Sequence, residues 1–242
     1  MEPTQTQQPA PKKSDNRLIP AAIIVAGLLI AGAVYFGGKP ADGSLTGNNN
    51  DILPAATVGD VAPVTSADHI LGDPSTAQLV IVEYSDLECP FCKVFHATLH
   101  QVMLDYPGKI AWVFRQFPIV QLHPKAPNEA AAAECAFDQG GNDAFWKFID
   151  KVFLTTNSNN SLDPAQLPII AGQVGLNVST FNACLSSGKN VAEINADVVA
   201  AGKAGAQGTP YSVIITKDGQ KIPIDGAQPL DSVESTINGL LK

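Results

Sequence analysis

Two cysteines separated by two residues are the part of this sequence best suited to do chemistry. Cys89, Pro90, Phe91 and Cys92 follow the largely apolar run Leu79–Tyr84, which predicts a strand that leads into a helix. Thiols one helical turn apart at such a junction can make and break a disulfide. Pro90 suits the first helical position, and the helix N-terminus would stabilise a thiolate on Cys89. The motif therefore predicts redox chemistry with Cys89 as the nucleophile.

The same cysteines also permit a metal site. Cys92, His96 and His100 fall at i, i+4 and i+8, and with Cys89 they would make a Cys2His2 set of the kind that binds zinc. However, bridged cysteines cannot ligate a metal, and His100 lies ~12 Å from Cys92 along a helix axis. We therefore expect no metal at this site, and we interpret His96 as a side chain that packs near the motif.

The composition is that of a folded domain. The chain has 242 residues, of which 45% are hydrophobic, with a formal net charge of -8. This is enough for one compact domain with a full core, and the acidic charge excludes a nucleic-acid-binding role. The four cysteines are too few for a small disulfide-stapled scaffold, but they permit two pairs.

The N-terminal part predicts a membrane anchor. Leu18–Phe36 carries no charge and approaches the ~20 residues needed to span a bilayer. The preceding tail, residues 1–17, contains Lys12, Lys13 and Arg17, which predicts that it is cytoplasmic. The remaining chain would then lie on the extracytoplasmic, periplasmic side of the cytoplasmic (inner) membrane, where disulfides persist.

Two alternatives to the anchor stay open, namely a cleaved signal peptide and a buried soluble helix. Ala31–Ala33 fits a small-x-small cleavage site, although the apolar run continues through Phe36. Residues 37–66 are rich in Gly, Asn, Pro, Asp and Thr and read as a flexible linker. The folded domain is predicted to cover residues 67–242.

The pattern within this domain alternates between strands and helices. We predict strands at 78–84 and 110–115 around a helix at 90–105. A helical block at about 120–205 follows, with helices at 123–139, 143–154, 163–174, 179–186 and 190–205. The last elements are strands at 211–216 and 220–225, which Asp218-Gly219 would join in a type I′ turn, and a helix at 229–241. Pro223 makes the last strand an edge. This order describes an α/β, thioredoxin-like sheet interrupted by a helical insertion.

Several motifs together resemble a known family. The stretch Glu83–Cys92, the distant Gly208-Thr209-Pro210 and the helical block between them are similar to the DsbA-like thiol:disulfide oxidoreductases. These are extracytoplasmic members of the thioredoxin superfamily. The resemblance covers roughly residues 67–242, and its combination of motifs is more specific than the paired cysteines alone.

The resemblance implies roles for the site residues. Cys89 would attack or accept, Cys92 would resolve, and Pro210 would be a cis proline opposite the motif. The backbone at Thr209 would then face outwards, where an extended substrate peptide can pair with it as a strand. No cofactor is expected.

Glu83 lies six positions before Cys89, where DsbA-like enzymes often carry an acidic residue that relays protons to the second cysteine. A buried carboxyl group has a raised pKa and can shuttle a proton near neutral pH. The alternative is a glutamate at the strand end that reaches solvent.

Cys135 and Cys184 form the second cysteine pair. In an oxidising compartment an even pair points to a structural disulfide, and some DsbA-like proteins carry such a bridge in their helical block. The alternatives are two unpaired buried cysteines, which would act as small apolar residues, and a second redox-active pair.

The expected function is disulfide formation in exported proteins. The partners would be cysteine-containing polypeptides and a membrane protein that reoxidises the cysteines. An isomerase or reductase of the same fold is the alternative, but residues 37–66 are too short and polar for the dimerisation module that isomerases usually need. A non-enzymatic, membrane-tethered binding protein would carry the paired cysteines as a structural staple.

Overall fold

The structure, a computed structural model, describes residues 58–242. The predicted tail, the apolar segment 18–36 and most of the predicted linker lie outside these residues. Within the described part, none of the helices combines the length and the apolar character needed to cross a membrane.

A five-stranded sheet forms the centre of the described chain. Its strands are β1 (His69–Leu71), β2 (Leu79–Ser85), β3 (Ile110–Gln116), β4 (Tyr211–Thr216) and β5 (Lys221–Asp225), in the order β1-β3-β2-β4-β5. Strands β2 and β3 are parallel, and the other pairs are antiparallel. The sequence did not predict β1, because three residues are too few to show an alternating pattern.

Among residues 58–242 six helices surround the sheet, and four of them form an insertion. They are α1 (Pro90–Asp105), α2 (Ala126–Thr155), α3 (Gln166–Gln173), α4 (Val178–Ser187), α5 (Val191–Ala204) and α6 (Leu230–Leu240). Helix α1 makes the crossover between the parallel strands β2 and β3, and α2 to α5 lie between β3 and β4. This confirms the predicted thioredoxin-like sheet with a helical insertion.

The alternation of side chains along β2 separates two cores. Leu79 and Ile81 belong to the larger core, which packs this face of the sheet against α1, α2 and α6. Val82 and Tyr84 belong to a second core on the opposite face, against α5. Because side chains alternate along a strand, Glu83 lies on the same face as Leu79 and Ile81. The fold thus places this carboxyl group on the face that α1 covers.

The packed part of the chain begins before residue 67, so the predicted domain boundary is too late. The N–H of Gly59 donates to Ala204 O at 3.0 Å, and the N–H of Asp60 donates to Lys203 O at 2.8 Å. Val61 is buried in the second core. These contacts are largely made by the backbone, and a polar, proline-containing composition does not reveal them.

Helix α2 takes the place of two predicted helices. We predicted a break at Gly140-Gly141, and the structure has one helical run with a kink in which Gly141 adopts φ 64° and ψ -159°. Glycine adopts such a positive φ at little cost. The break between two helical segments was therefore predicted correctly.

The predicted type I′ turn between β4 and β5 is wrong. Such a turn needs a positive φ at both central residues, but here Gly219 has φ 85° and Asp218 is not among the residues with positive φ. The N–H of Gly219 donates to Thr216 O at 2.9 Å, so a three-residue loop ends in one left-handed glycine. Pro223 does lie on an edge strand, since β5 is the last strand of the sheet.

Cys135 and Cys184 form a disulfide that joins α2 to α4, with their Cα atoms 5.8 Å apart. This separation is ordinary for a disulfide. The bridge closes a loop of 49 residues in sequence separation, and cross-links of this size restrict the unfolded chain. The predicted pairing is thus present in the helical insertion.

Removal of this bridge is expected to destabilise the protein without touching its redox site. The variant with both Cys135→Ala and Cys184→Ala should lose about 2–4 kcal/mol of unfolding free energy, measured by urea denaturation under oxidising conditions. The reaction rate of Cys89 with an alkylating reagent serves as the control and should not change. An unaltered urea midpoint would show that the bridge does not stabilise the fold.

Candidate active site

The paired cysteines lie where β2 passes into α1. Cys89 is the N-cap residue of α1 and Pro90 is its first residue, as the sequence predicted. Cys89 is 4% exposed and Cys92 is fully buried, and both are free thiols. The N–H of Asp86 donates to the Cys92 sulfur at 3.4 Å, so the loop before the helix holds the inner sulfur in place.

The surroundings of Cys89 favour its thiolate. The hydrogen bond from the Cys92 thiol contributes most to a pKa lowered to about 6, and it outweighs burial, which acts in the opposite direction. Thr209 and the backbone N–H groups of Cys92 and Phe91 lower the pKa of Cys89 further. These N–H groups belong to the first turn of α1, where they have no partner within the helix.

Cys92 behaves in the opposite way. Burial raises its pKa well above the ordinary value, and the neighbouring Cys89 and Glu83 raise it further. At neutral pH Cys89 is therefore largely ionised, while Cys92 keeps its proton. Because the thiolate is the reactive form, this asymmetry is the one expected if Cys89 is the nucleophile of the pair.

Thr209 and Pro210 lie against the motif, although they are more than a hundred residues away in sequence. The Thr209–Pro210 peptide bond is cis, which agrees with the implication of the family resemblance. The Cys89 thiol donates to Thr209 O at 3.4 Å. The buried Thr209 hydroxyl has no hydrogen-bond partner among the described residues, so it is free to donate to a thiolate on Cys89.

Loss of this hydroxyl is expected to weaken the thiolate. Thr209→Val keeps the shape of the side chain but removes the donor, and a hydrogen bond to a charged group is worth enough to shift a pKa by about one unit. The pKa of Cys89 should rise by this amount in a titration of its alkylation rate against pH. An unchanged pKa would mean that the Thr209 hydroxyl does not reach the sulfur.

Glu83 is fully buried on the α1 face of the sheet, which excludes the solvent-facing alternative. Trp112 Nε1 donates to Glu83 Oε2 at 2.9 Å, whereas Oε1 has no partner among the described residues. Burial raises the pKa of Glu83 to about 7, against the lowering effect of Ser85 and Trp112. The charge of Glu83 also raises the pKa of Cys92, so the two groups influence each other's ionisation inside the fold.

Asp86 is a site residue whose role the sequence did not indicate. It is 1% exposed, and its Oδ1 accepts the N–H of Glu88 at 2.8 Å. Its Oδ2 accepts the N–H of Ile119 at 2.8 Å and lies 2.9 Å from His123 Nδ1. Asp86 therefore ties the loop before Cys89 to the segment after β3, and only the tertiary fold brings these groups together.

Glu88 forms a second buried contact beside the motif. Its carboxylate accepts the N–H groups of Asn160 at 2.5 Å and Leu162 at 3.3 Å. Burial, together with the nearby Glu88, raises the pKa of Glu129 to about 9, so Glu129 is protonated at neutral pH. Glu129, one of two glutamates in the alanine-rich run of α2, was the sequence signal for the Glu88–Glu129 pair.

The two histidines that the sequence suggested as metal ligands meet an aspartate in the structure, not the paired cysteines. The donor atoms of His96 and His100 converge on Asp150 of α2, and no cysteine belongs to this group. The His96 ring packs on Trp112 and Phe153. The Cys2His2 arrangement is thus not formed in the described part of the chain.

Comparison with known proteins agrees with this geometry. A family model described as Thioredoxin matches residues 64–238. The chain belongs to the thioredoxin superfamily. Among solved structures, DsbA2 of Pseudomonas aeruginosa is 28% identical, with a TM-score of 0.60, and the match covers 75% of this chain and 97% of that chain. These findings support the DsbA-like resemblance that the motifs indicated.

Two further relatives show how much of this chain resembles known proteins. Alpha-DsbA1 of Wolbachia pipientis is 26% identical with a TM-score of 0.63, over 74% of this chain and 92% of that chain. A Na(+)/H(+) antiporter NhaA 3 of Salinispora tropica is 34% identical over 143 residues, which are 59% of this chain and 21% of that protein. The chain spans about a fifth of the length of such curated relatives.

Proposed function

We propose that this protein is a thiol:disulfide oxidoreductase that forms disulfides in exported polypeptides. The observation that carries the proposal is the unequal pair in α1, in which Cys89 has a pKa of about 6 and the buried Cys92 a strongly raised one. A low-pKa cysteine is a good leaving group in thiol–disulfide exchange. This asymmetry favours the transfer of a disulfide to a substrate over its reduction.

In the proposed reaction a thiolate of the substrate attacks Cys89 Sγ of the Cys89–Cys92 disulfide. The Cys89–Cys92 bond breaks, Cys92 leaves, and Glu83 supplies the proton that neutralises it. A second substrate thiolate then attacks the substrate sulfur bound to Cys89, and Cys89 departs as a thiolate. The substrate thus loses two electrons and gains a disulfide, while the protein is reduced to its dithiol and needs a membrane redox partner for reoxidation.

An extended polypeptide suits the surface around Cys89. Phe91 of the motif is 64% exposed and offers an apolar contact. A groove lined by Phe117, Ile119 and Val198 adjoins the active-site loop, because Ile119 is tied to Asp86. In the proposal the backbone at Thr209 pairs with a strand of the substrate, and the apolar surface accepts its side chains.

The proposed location is the outer side of the cytoplasmic membrane, with Leu18–Phe36 as a single-pass anchor. The uncharged run and the basic residues before it support this placement. The Cys135–Cys184 disulfide also fits an oxidising compartment. Protease added to intact spheroplasts should digest residues 67–242, and full protection of the domain would contradict this location.

The direction of exchange is tested in the cell and in solution. Acid quenching followed by alkylation should find Cys89 and Cys92 mostly oxidised, and the purified disulfide form should oxidise reduced, unfolded ribonuclease A. The matched control is the Cys89→Ser protein, which cannot carry the disulfide. A pair that is mostly reduced in the cell would instead support the isomerase or reductase alternative.

A further inference from the structure

Three ligand-type side chains meet between α1 and α2, in a group that contains no cysteine. His96 Nε2 lies 2.7 Å from Asp150 Oδ1, His100 Nε2 lies 2.9 Å from the same oxygen, and the two nitrogens are 3.1 Å apart. His96 and His100 are one helical turn apart on α1, and Asp150 comes from α2. Three donor atoms from two helices therefore point at a common centre.

The distances between these three atoms are close to those between neighbouring ligand atoms around a bound metal ion. With metal–nitrogen bonds of ~2.1 Å, neighbouring ligand atoms lie ~3.0 Å apart in an octahedron and ~3.4 Å apart in a tetrahedron. The observed distances of 2.7, 2.9 and 3.1 Å fall short of the octahedral distance by ~0.3 Å at most and of the tetrahedral distance by ~0.7 Å at most, so an octahedral shell needs the smaller expansion. Two imidazoles and one carboxylate are also a donor set that zinc and its neighbours in the first transition row accept.

Hydrogen bonding alone satisfies the triangle formed by His96 Nε2, His100 Nε2 and Asp150 Oδ1 poorly. If both Nε2 atoms carry a proton and donate to Asp150 Oδ1, the two N–H groups of His96 and His100 face each other at 3.1 Å. If one of them lacks its proton, that nitrogen directs a lone pair at the carboxylate. A cation at the centre removes this conflict, because all three atoms then direct lone pairs at it.

The surroundings allow an ion to enter. His96 is 5% exposed, so the inner ligand is held in place, while the side chains of His100 and Asp150 are each 37% exposed. An open pocket borders all three ligands and is otherwise lined mainly by apolar side chains, including Leu104 and Phe153. The nearby Lys93 ammonium is held by Thr156 O at 2.5 Å, which gives it a partner other than the ligand triangle.

We propose that His96, His100 and Asp150 bind a divalent first-row transition metal ion such as Ni2+ or Zn2+. The three protein ligands leave at least one coordination position toward the pocket, for water or another small ligand. None of the three ligands is a cysteine, and the proposal holds whether or not the protein forms disulfides.

Tryptophan fluorescence can report metal binding at this site. Its two tryptophans, Trp112 and Trp146, lie 5.1 and 6.4 Å from the His96 ring. A paramagnetic Ni2+ ion at the triangle should therefore quench most of the tryptophan fluorescence, and Zn2+ should reverse the quenching by competition. The other two histidines are buried beside Glu134 and Asp86, so they offer no competing surface site.

The experiment uses the full-length protein in detergent, without a histidine tag and with Cys89 and Cys92 joined as a disulfide, so that thiolates cannot bind the metal. We expect one equivalent of Ni2+ or Zn2+ to bind. Asp150→Asn and His100→Gln should each weaken binding at least tenfold, with unchanged circular dichroism. Asp143→Asn, at an exposed ion pair on the same helix, is the matched control and should bind like the wild type.

Two results would overturn the proposal. One is the absence of saturable quenching and of bound Zn2+ in equilibrium dialysis of the wild-type protein. The other is metal binding that Asp150→Asn and His100→Gln leave unaltered, since the ion would then lie elsewhere. If both variants unfold, His100→Cys, which retains a ligand atom, must restore the folded protein and the binding, and failure to bind would count against the site.

Discussion

Replacement of Cys89 by serine is expected to abolish disulfide exchange, with a loss of at least about 10³-fold, as for other enzymes that lose their nucleophile. The hydroxyl group of serine stays protonated at neutral pH, whereas the Cys89 thiol has a pKa of about 6. The measurement is the rate at which the dithiol protein reduces a disulfide-containing peptide. Retention of the wild-type rate by Cys89→Ser would exclude the proposed mechanism.

Cys92→Ser is the matched variant, because it removes the other sulfur of the same pair. Cys89 would still attack a substrate, but no second thiol would release it, so mixed disulfides should accumulate on non-reducing gels. The double variant of Cys89 and Cys92 should show none. Mixed disulfides that formed through Cys92 in the Cys89→Ser protein would reverse the assigned roles.

Glu83→Gln is expected to slow the step in which Cys92 resolves a mixed disulfide by about 10²-fold, the usual contribution of a general base. Glu83 has a pKa of about 7, and it accepts a proton only when it is ionised. The wild-type rate of this step should therefore rise as the pH increases through 7, and the variant should lose this rise. Stopped-flow measurement of release from the Cys89 mixed disulfide tests both expectations.

Measuring the free energy of unfolding distinguishes an effect of Glu83→Gln on catalysis from an effect on folding. Its pKa is raised from 4.5 to about 7 by burial, so the folded state disfavours the ionised form and stability is lost as the pH rises through this interval. Relative to the wild type, Glu83→Gln should gain up to about 3 kcal/mol of unfolding free energy between pH 4 and pH 8. A variant that is slower but relatively more stable at high pH cannot owe its lower rate to unfolding.

Glu129→Gln provides a second control for the same experiment. Glu129 is also a buried carboxyl group in the described structure, but its pKa of about 9 keeps it protonated at neutral pH. The amide therefore resembles the form that is already present, and the exchange rate at pH 7 should not change. A loss as large as that of Glu83→Gln would point to a general effect of altering buried acids.

The sequence was sufficient to predict those features of the site that depend on residues adjacent in the chain. Cys89, Pro90 and Cys92 follow a strong strand signal, and the helix start is set by the proline itself, so their placement was predictable. The burial of Glu83 was one of two alternatives that the sequence left open, and the structure decided between them. The cis form of Pro210 came from the family resemblance, since a Thr-Pro pair alone does not reveal its isomer.

The features that were missed depend on tertiary contacts. Asp86 reaches His123 and Ile119 across the site, and nothing in the local pattern marks it as different from other loop aspartates. Gly59 and Asp60 donate backbone hydrogen bonds to α5, and hydropathy does not reveal such contacts. The meeting of His96 and His100 with Asp150 needs the packing of α1 against α2, so helical spacing alone led to Cys92 as the third ligand.

The central claim is that the fold makes Cys89 an ionised nucleophile at neutral pH. The most direct test is the ultraviolet absorbance of its thiolate, followed against pH in the dithiol protein, with Cys89→Ser as the blank. We predict a midpoint at about 6, with Cys92 silent throughout the neutral range. A midpoint near ~8.5, the value of an ordinary cysteine, would contradict this account.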